Sequence, residues 1–177
     1  MHRLFVAIRP PEEIRDLIVD AMDDSPALRW VPHDNLHLTL RFIGEVERPM
    51  ANDVTAALAG VRFESFDAAL TGVSRFDRRG GGALWAGMAP KELVTALAAK
   101  LERACQQAGL EAERRAFTPH VTIAHYGRES RPEAEQFERR EAGFQSPPFL
   151  IDRFTLFESR LSRHGAYYET VAEFPLT

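Results

Sequence analysis

The chain carries a single cysteine, Cys105, so it has neither a disulfide framework nor the cysteine pairs of a zinc cluster. Cys105 falls in a strongly helical stretch, where a buried, unreactive thiol is expected. Long apolar runs are also missing, which excludes a membrane-spanning helix. The opening Met1-His2-Arg3-Leu4-Phe5-Val6-Ala7-Ile8-Arg9-Pro10 is interrupted too early for a signal peptide, and a cytoplasmic protein is expected. Positive charge is not in surplus. A net charge of −4 argues against a protein that coats a long duplex and leaves a small or terminal substrate, held by a local group of arginines. Acidic residues are scattered along helix faces rather than paired, which disfavours a two-carboxylate hydrolase. Low-complexity sequence is confined to Arg78-Arg79-Gly80-Gly81-Gly82, read as a hairpin loop in preference to a phosphate cradle.

What the chain does have is a phrase written twice, 83 positions apart. His37-Leu38-Thr39-Leu40 leads through Gly44 to Arg48-Pro49, and His120-Val121-Thr122-Ile123 leads through Gly127 to Arg131-Pro132. Strand side chains alternate faces, so His37 and Thr39 project to one side, as do His120 and Thr122. One His-x-Thr alone is adequately explained by the strand preference of threonine. Packing gives no reason to keep the same polar pair on both strands. If the strands face one another across a cleft, two imidazoles with adjacent hydroxyls suit acid–base chemistry on a phosphodiester.

The repeat extends upstream. Val6-Ala7-Ile8-Arg9-Pro10-Pro11-Glu12-Glu13-Ile14 aligns with Trp85-Ala86-Gly87-Met88-Ala89-Pro90-Lys91-Glu92-Leu93, each a short strand running into a proline-started helix. Ile14, Leu17, Ile18, Ala21 and Met22 form one helical stripe, and Leu93, Ala96, Leu97, Leu101 and Ala104 the other. The Arg-Pro pairs open further helices near Pro49 to Ala59 and Pro132 to Ala142. Outside the repeat, strands are expected near Phe66 to Phe76, Leu84 to Met88, Phe149 to Glu158 and Tyr167 to Phe174, the last two joined by a turn at Arg163-His164-Gly165. The fold class is therefore α+β: a single bilobal domain over residues 1–177, with related halves at about 3–62 and 83–142. Each lobe would hold an antiparallel sheet and helices, and a central cleft would be lined by both His-x-Thr strands.

Arg3-Leu4-Phe5-Val6-Ala7-Ile8, Leu84-Trp85-Ala86-Gly87, Phe117-Thr118-Pro119-His120, Ser159-Arg160-Leu161 and the paired His-x-Thr motifs together resemble the two-histidine phosphoesterase superfamily. Within it the chain is most similar to the RNA 2′,3′-cyclic phosphodiesterase (bacterial and archaeal 2′-5′ RNA ligase) family, over nearly its whole length. The resemblance implies a pseudo-twofold bilobal fold and metal-independent hydrolysis of a 2′,3′-cyclic phosphate to a 2′-phosphomonoester, with no cofactor. It implies a monomer acting on RNA 3′ ends or small nucleotides, with no membrane partner. It leaves open ligation at a 2′-5′ linkage, cleavage of another cyclic or 2′-5′ linked nucleotide, and a non-catalytic module that binds RNA ends.

By the same resemblance His120 is the base acting on water and His37 the acid at the 3′ oxygen, although the symmetry of the repeat leaves the direction less fixed than the pair. Thr39 and Thr122 would donate hydroxyls to phosphate oxygens. Phe42 holds the place at which relatives stack the nucleobase, yet strict alternation from His37 sends it to the opposite face; either the strand bulges or Phe42 belongs to the core. Arg41, by alternation on the His37 face, reads either as a phosphate contact or as a solvated strand-end charge. His125 stands where the family commonly has an arginine directed at the phosphate. A histidine is shorter and only conditionally charged, so phosphate affinity is weaker or more pH-dependent, or another arginine such as Arg128 substitutes. His2, His33 and His164 read as surface or capping residues, and Arg114-Arg115 as a loop charge pair.

Overall fold

A computed structural model describes residues 1–177. Strands β1 (His2–Ile8), β2 (Arg29–Trp30), β3 (Leu38–Val46), β4 (Phe66–Arg78), β5 (Gly81–Ala89), β6 (His120–Gly127), β7 (Phe149–Ile151), β8 (Arg153–Ser162) and β9 (Gly165–Pro175) alternate with helices α1 (Glu12–Ala21), α2 (Arg48–Ala59), α3 (Lys91–Gln107) and α4 (Arg131–Arg140). The mixed fold expected from the sequence is present. Pro11 and Pro90 cap α1 and α3, and the two Arg-Pro pairs open α2 and α4.

The strands form one antiparallel sheet in the order β7-β4-β5-β6-β3-β1-β8-β9, with β2 pairing β6 off this path. At its centre, β3 and β6 meet through the single pair Leu38–Val121. Outward from that seam each half runs through its histidine-bearing strand, then the strand that opens its copy of the repeat, then two more. The apolar run expected as one strand from Phe149 to Glu158 is broken at Asp152: β7 pairs β4 in one half, and β8 pairs β1 in the other. Composition cannot mark such a crossing, because both pieces are buried strands of similar make-up. The Arg78–Gly82 stretch makes the hairpin between β4 and β5, as read, with its turn at Arg79-Gly80 and Gly81 and Gly82 opening β5. Close packing requires glycine there, since a Cβ on Gly82 would lie 2.1 Å from the Phe76 carbonyl oxygen and 2.4 Å from the Tyr126 hydroxyl. The Arg163-His164 turn joins β8 to β9, with Gly165 at φ +110°.

The two faces of β1 do different work. Leu4, Val6 and Ile8 join the main core with Ile14 and Ile18 of α1, whereas Phe5 and Ala7 form a second cluster with Phe157, against which Tyr168 packs. Cys105 is fully buried in α3, and burial pushes its thiol up to about 11, which keeps it protonated and inert.

Candidate active site

The geometry of the site follows from two one-residue bulges. Along β1 and β3, Val6 pairs Arg41 but Ala7 pairs Thr39, leaving Leu40 without a partner; along β5 and β6, Leu84 pairs Ala124 but Trp85 pairs Thr122, leaving Ile123 without one. An extra residue reverses the alternation beyond it. Leu40 and Arg41 are therefore both buried, and Phe42 turns outward, 37% exposed, to the side of His37 and Thr39. The equivalent slip at Ile123 leaves Ala124 buried and His125 exposed. Of the two alternatives open for Phe42, the bulge is the one present.

Arg41 corrects both expectations for it. Only 7% exposed, it lies in the interior, its Nε and Nη2 on the Glu102 carboxylate at 2.6 and 3.3 Å, and it donates to the carbonyls of Phe42 and Glu111 at 2.6 Å each. Burial pushes the Glu102 carboxyl up, but hydrogen bonds from Arg41, Gln106 and the Glu113 N–H outweigh it and hold the group below its ordinary range. This pair ties together α3, the backbone at Phe42 and the loop that leads to His120.

His37 immediately precedes β3 and His120 opens β6. Each donates its Nδ1 proton to the carbonyl two residues earlier, His37 to Asn35 at 2.7 Å and His120 to Thr118 at 2.6 Å. A carbonyl only accepts, so both neutral rings carry hydrogen on Nδ1 and present Nε2 as the reactive nitrogen. The Nε2 of His37 lies 3.0 Å from the Thr39 hydroxyl. Aromatic rings flank both imidazoles: Phe5 and Tyr168 at 5.0 and 5.2 Å from His37, Phe76 and Trp85 at 5.2 and 5.8 Å from His120. Burial lowers the His37 pKa, and the nearby charges of Arg9 and His120 act in the same sense, outweighing the hydrogen bond to the Asn35 carbonyl, which raises it.

Two cavities meet at this point. One, of about 730 Å³, contains His37, Thr39 and Phe42; the other, of about 690 Å³, contains Thr39, Phe42 and His120. Thr39 and Phe42 belong to both. Thr122 is half-buried opposite Trp85, and neither it nor His125 lines these cavities. Burial lowers the His125 pKa, and the guanidinium groups of Arg29 and Arg78 lower it further, so its neutral form is favoured. Arg128 sits in a short 3-10 turn away from both cavities. Arg78 instead lines the His120 cavity. From the sequence, the Arg78–Gly82 stretch reads as a hairpin loop in preference to a phosphate cradle; the hairpin is present, and Arg78 at its mouth also lines the cavity. Tyr168 and Phe76 were missed, because they reach the histidines from strands remote in sequence. His2 pairs with Glu158 at 3.0 Å and His33 with Asp16 at 2.8 Å, the surface roles expected of them. Histidine, cysteine and carboxylate side chains nowhere gather in threes around a point that would hold a metal ion.

Two histidines of a repeated His-x-Thr motif, carried by neighbouring strands of one sheet and lining adjoining cavities, are the pattern of a two-histidine phosphoesterase. A family model of the 2′-5′ RNA ligase superfamily matches residues 8–163, and the chain belongs to that family. It is 31% identical to an RNA 2′,3′-cyclic phosphodiesterase of Escherichia coli strain K12 over 99% of this chain and 97% of the relative. It is 32% identical to one from Aeropyrum pernix over 82% and 85%. Among solved structures, E. coli LigT complexed with 3′-AMP superposes with a TM-score of 0.79 at 27% identity, covering 99% of this chain and 98% of LigT. LigT complexed with phosphate gives 0.75 at 28% identity over 99% and 98%.

Proposed function

We propose that the protein hydrolyses RNA or nucleoside 2′,3′-cyclic phosphate ends to 2′-phosphomonoesters by acid–base catalysis on His37 and His120, without a metal step. The observation that carries this reading is the pair of imidazoles, each fixed through Nδ1 with Nε2 left for proton transfer, on cavities that share Thr39 and Phe42. His120 takes the proton from water as its oxygen bonds to phosphorus. The bond to the ribose 3′ oxygen breaks, and His37 delivers a proton to that oxygen, leaving the phosphate on the 2′ oxygen. His37 must then be protonated when substrate is bound. Burial opposes this in the free protein, and the phosphodiester anion reverses it by favouring the imidazolium.

Thr39 donates its hydroxyl to a nonbridging oxygen, and Thr122, holding on β6 the place Thr39 holds on β3, does the same. Phe42 stacks the terminal base. His125 contributes to phosphate binding chiefly as a neutral hydrogen-bonding group. Arg78 supplies the guanidinium charge, since it lines the cavity and no carboxylate pairs with it. The strand order outward from the Leu38–Val121 seam supports reading residues 1–177 as one domain of two related lobes. The test is turnover of a nucleoside 2′,3′-cyclic phosphate in the presence of excess chelator, followed by phosphorus NMR. A 2′-phosphomonoester product is expected; no turnover, or a 3′-phosphate product, would overturn the assignment.

A further inference from the structure

Beyond His37, the cavity of about 730 Å³ continues along β8 and β9, where Leu161, Ala166, Tyr167 and Tyr168 stand among Glu158, Ser159 and Arg160. Of the eight large apolar side chains exposed on the whole molecule, four line it: Met1, Phe42, Leu161 and Tyr167. Leu161 is 86% exposed and Tyr167 43%, both near the tip of the β8–β9 hairpin. Clustered exposure of this kind on an otherwise polar surface marks a binding face. The hairpin is tied to the catalytic strand, because Asn35, whose carbonyl orients His37, donates its side-chain amide to the Ala166 carbonyl at 2.9 Å. Charges on the walls balance, with Arg3 and Arg160 against Glu45 and Glu158, and Arg160 is already engaged by Glu169 at 2.8 Å. Such a trough does not attract a phosphate chain. It suits an aromatic base, which stacks on tyrosine irrespective of its identity.

We infer that this trough is a subsite for the penultimate nucleoside of an RNA 3′ end, its base stacked on Tyr167 and edged by Leu161, while the terminal base occupies Phe42. The inference rests on the proposed function and names its substrate class: short single-stranded RNA ends, preferred over free nucleoside cyclic phosphates. Continuity with the His37 site sets the occupant, since the only part of such a substrate that lies beyond the terminal nucleoside is the next nucleotide on its 5′ side.

The experiment compares kcat/KM for adenosine 2′,3′-cyclic phosphate with that for the dinucleotide ApA ending in the same cyclic phosphate. Wild type is expected to prefer the dinucleotide by on the order of tenfold, within the range for one base stacked on an aromatic ring. Tyr167→Ala should bring the ratio of the two rates towards one, and Tyr167→Phe should retain it. The preference should also be nearly flat with salt, as a contact that neutralises no phosphate requires. Equal rates in wild type, a preference untouched by Tyr167→Ala, or a preference that collapses with salt would each overturn the subsite. Absence of turnover on both substrates would instead overturn the proposed function, so the two failures are distinguishable.

Discussion

The two halves of the sheet use the same backbone for different work. Both bulge at the same point of the repeat, at Leu40 and Ile123, and both lock a histidine Nδ1 to the carbonyl two residues before it. Around His37 stand Phe5, Tyr168 and the trough beyond, with the Arg9 guanidinium near enough to disfavour its protonation. Around His120 stand Phe76, Trp85 and a guanidinium, Arg78. On the proposed mechanism, the first half receives the leaving ribose oxygen and the second the attacking water. Duplication fixed where the histidines stand, and the strands flanking each one decide what it does.

The sharpest way to break the comparison is to remove either histidine. His37→Ala and His120→Ala should each lower kcat by about 10² to 10⁴, the worth of a positioned proton-transfer group. Steady-state turnover of a nucleoside 2′,3′-cyclic phosphate checks this, and near-normal turnover from one variant alone would show that only one half is catalytic. Next in size is the interior strut joining the halves. Arg41→Ala strands Glu102 and should cost about 3 kcal/mol of stability, measured by urea unfolding. A loss close to zero would mean that the strut does not hold Phe42 and the 111–119 loop in place.

Arg78→Ala should raise KM on the order of tenfold, as expected for losing a charge-assisted hydrogen bond to an anion. His125→Arg in that background should recover much of the loss, and Arg79→Ala should have little effect. Failure of the recovery would separate Arg78 from the place the family gives to an arginine. The smallest effect is on pH. With His37 acting as the acid, kcat/KM falls as pH rises through its free pKa, which burial places below the ordinary value of about 6.5. In kcat the same limb should move to higher pH, because the bound anion favours the imidazolium. Parallel profiles show whether it moves; an unmoved limb would transfer the acid role to His120.

The histidine strands, the proline-started helices and the glycine hairpin were legible because periodicity and turn chemistry are local. The bulges were not. An unpaired Leu40 or Ile123 looks in sequence like any strand residue, yet it decides that Phe42 turns outward to the side of His37 while Arg41 is buried against Glu102. Nor was the break at Asp152 readable, since it depends on which neighbours β7 and β8 find. Tyr167 and Tyr168 reach the site only because the β8–β9 hairpin pairs with β1, far away in the chain, and no spacing records that.

The most direct test is a crystal structure of the protein with a nucleoside 2′-monophosphate. Nε2 of His37 and Nε2 of His120 should each lie within about 2.6–3.2 Å of an oxygen on or leaving the same phosphorus. A phosphate held by one imidazole alone, with the other turned away or out of reach, would contradict a two-histidine reaction.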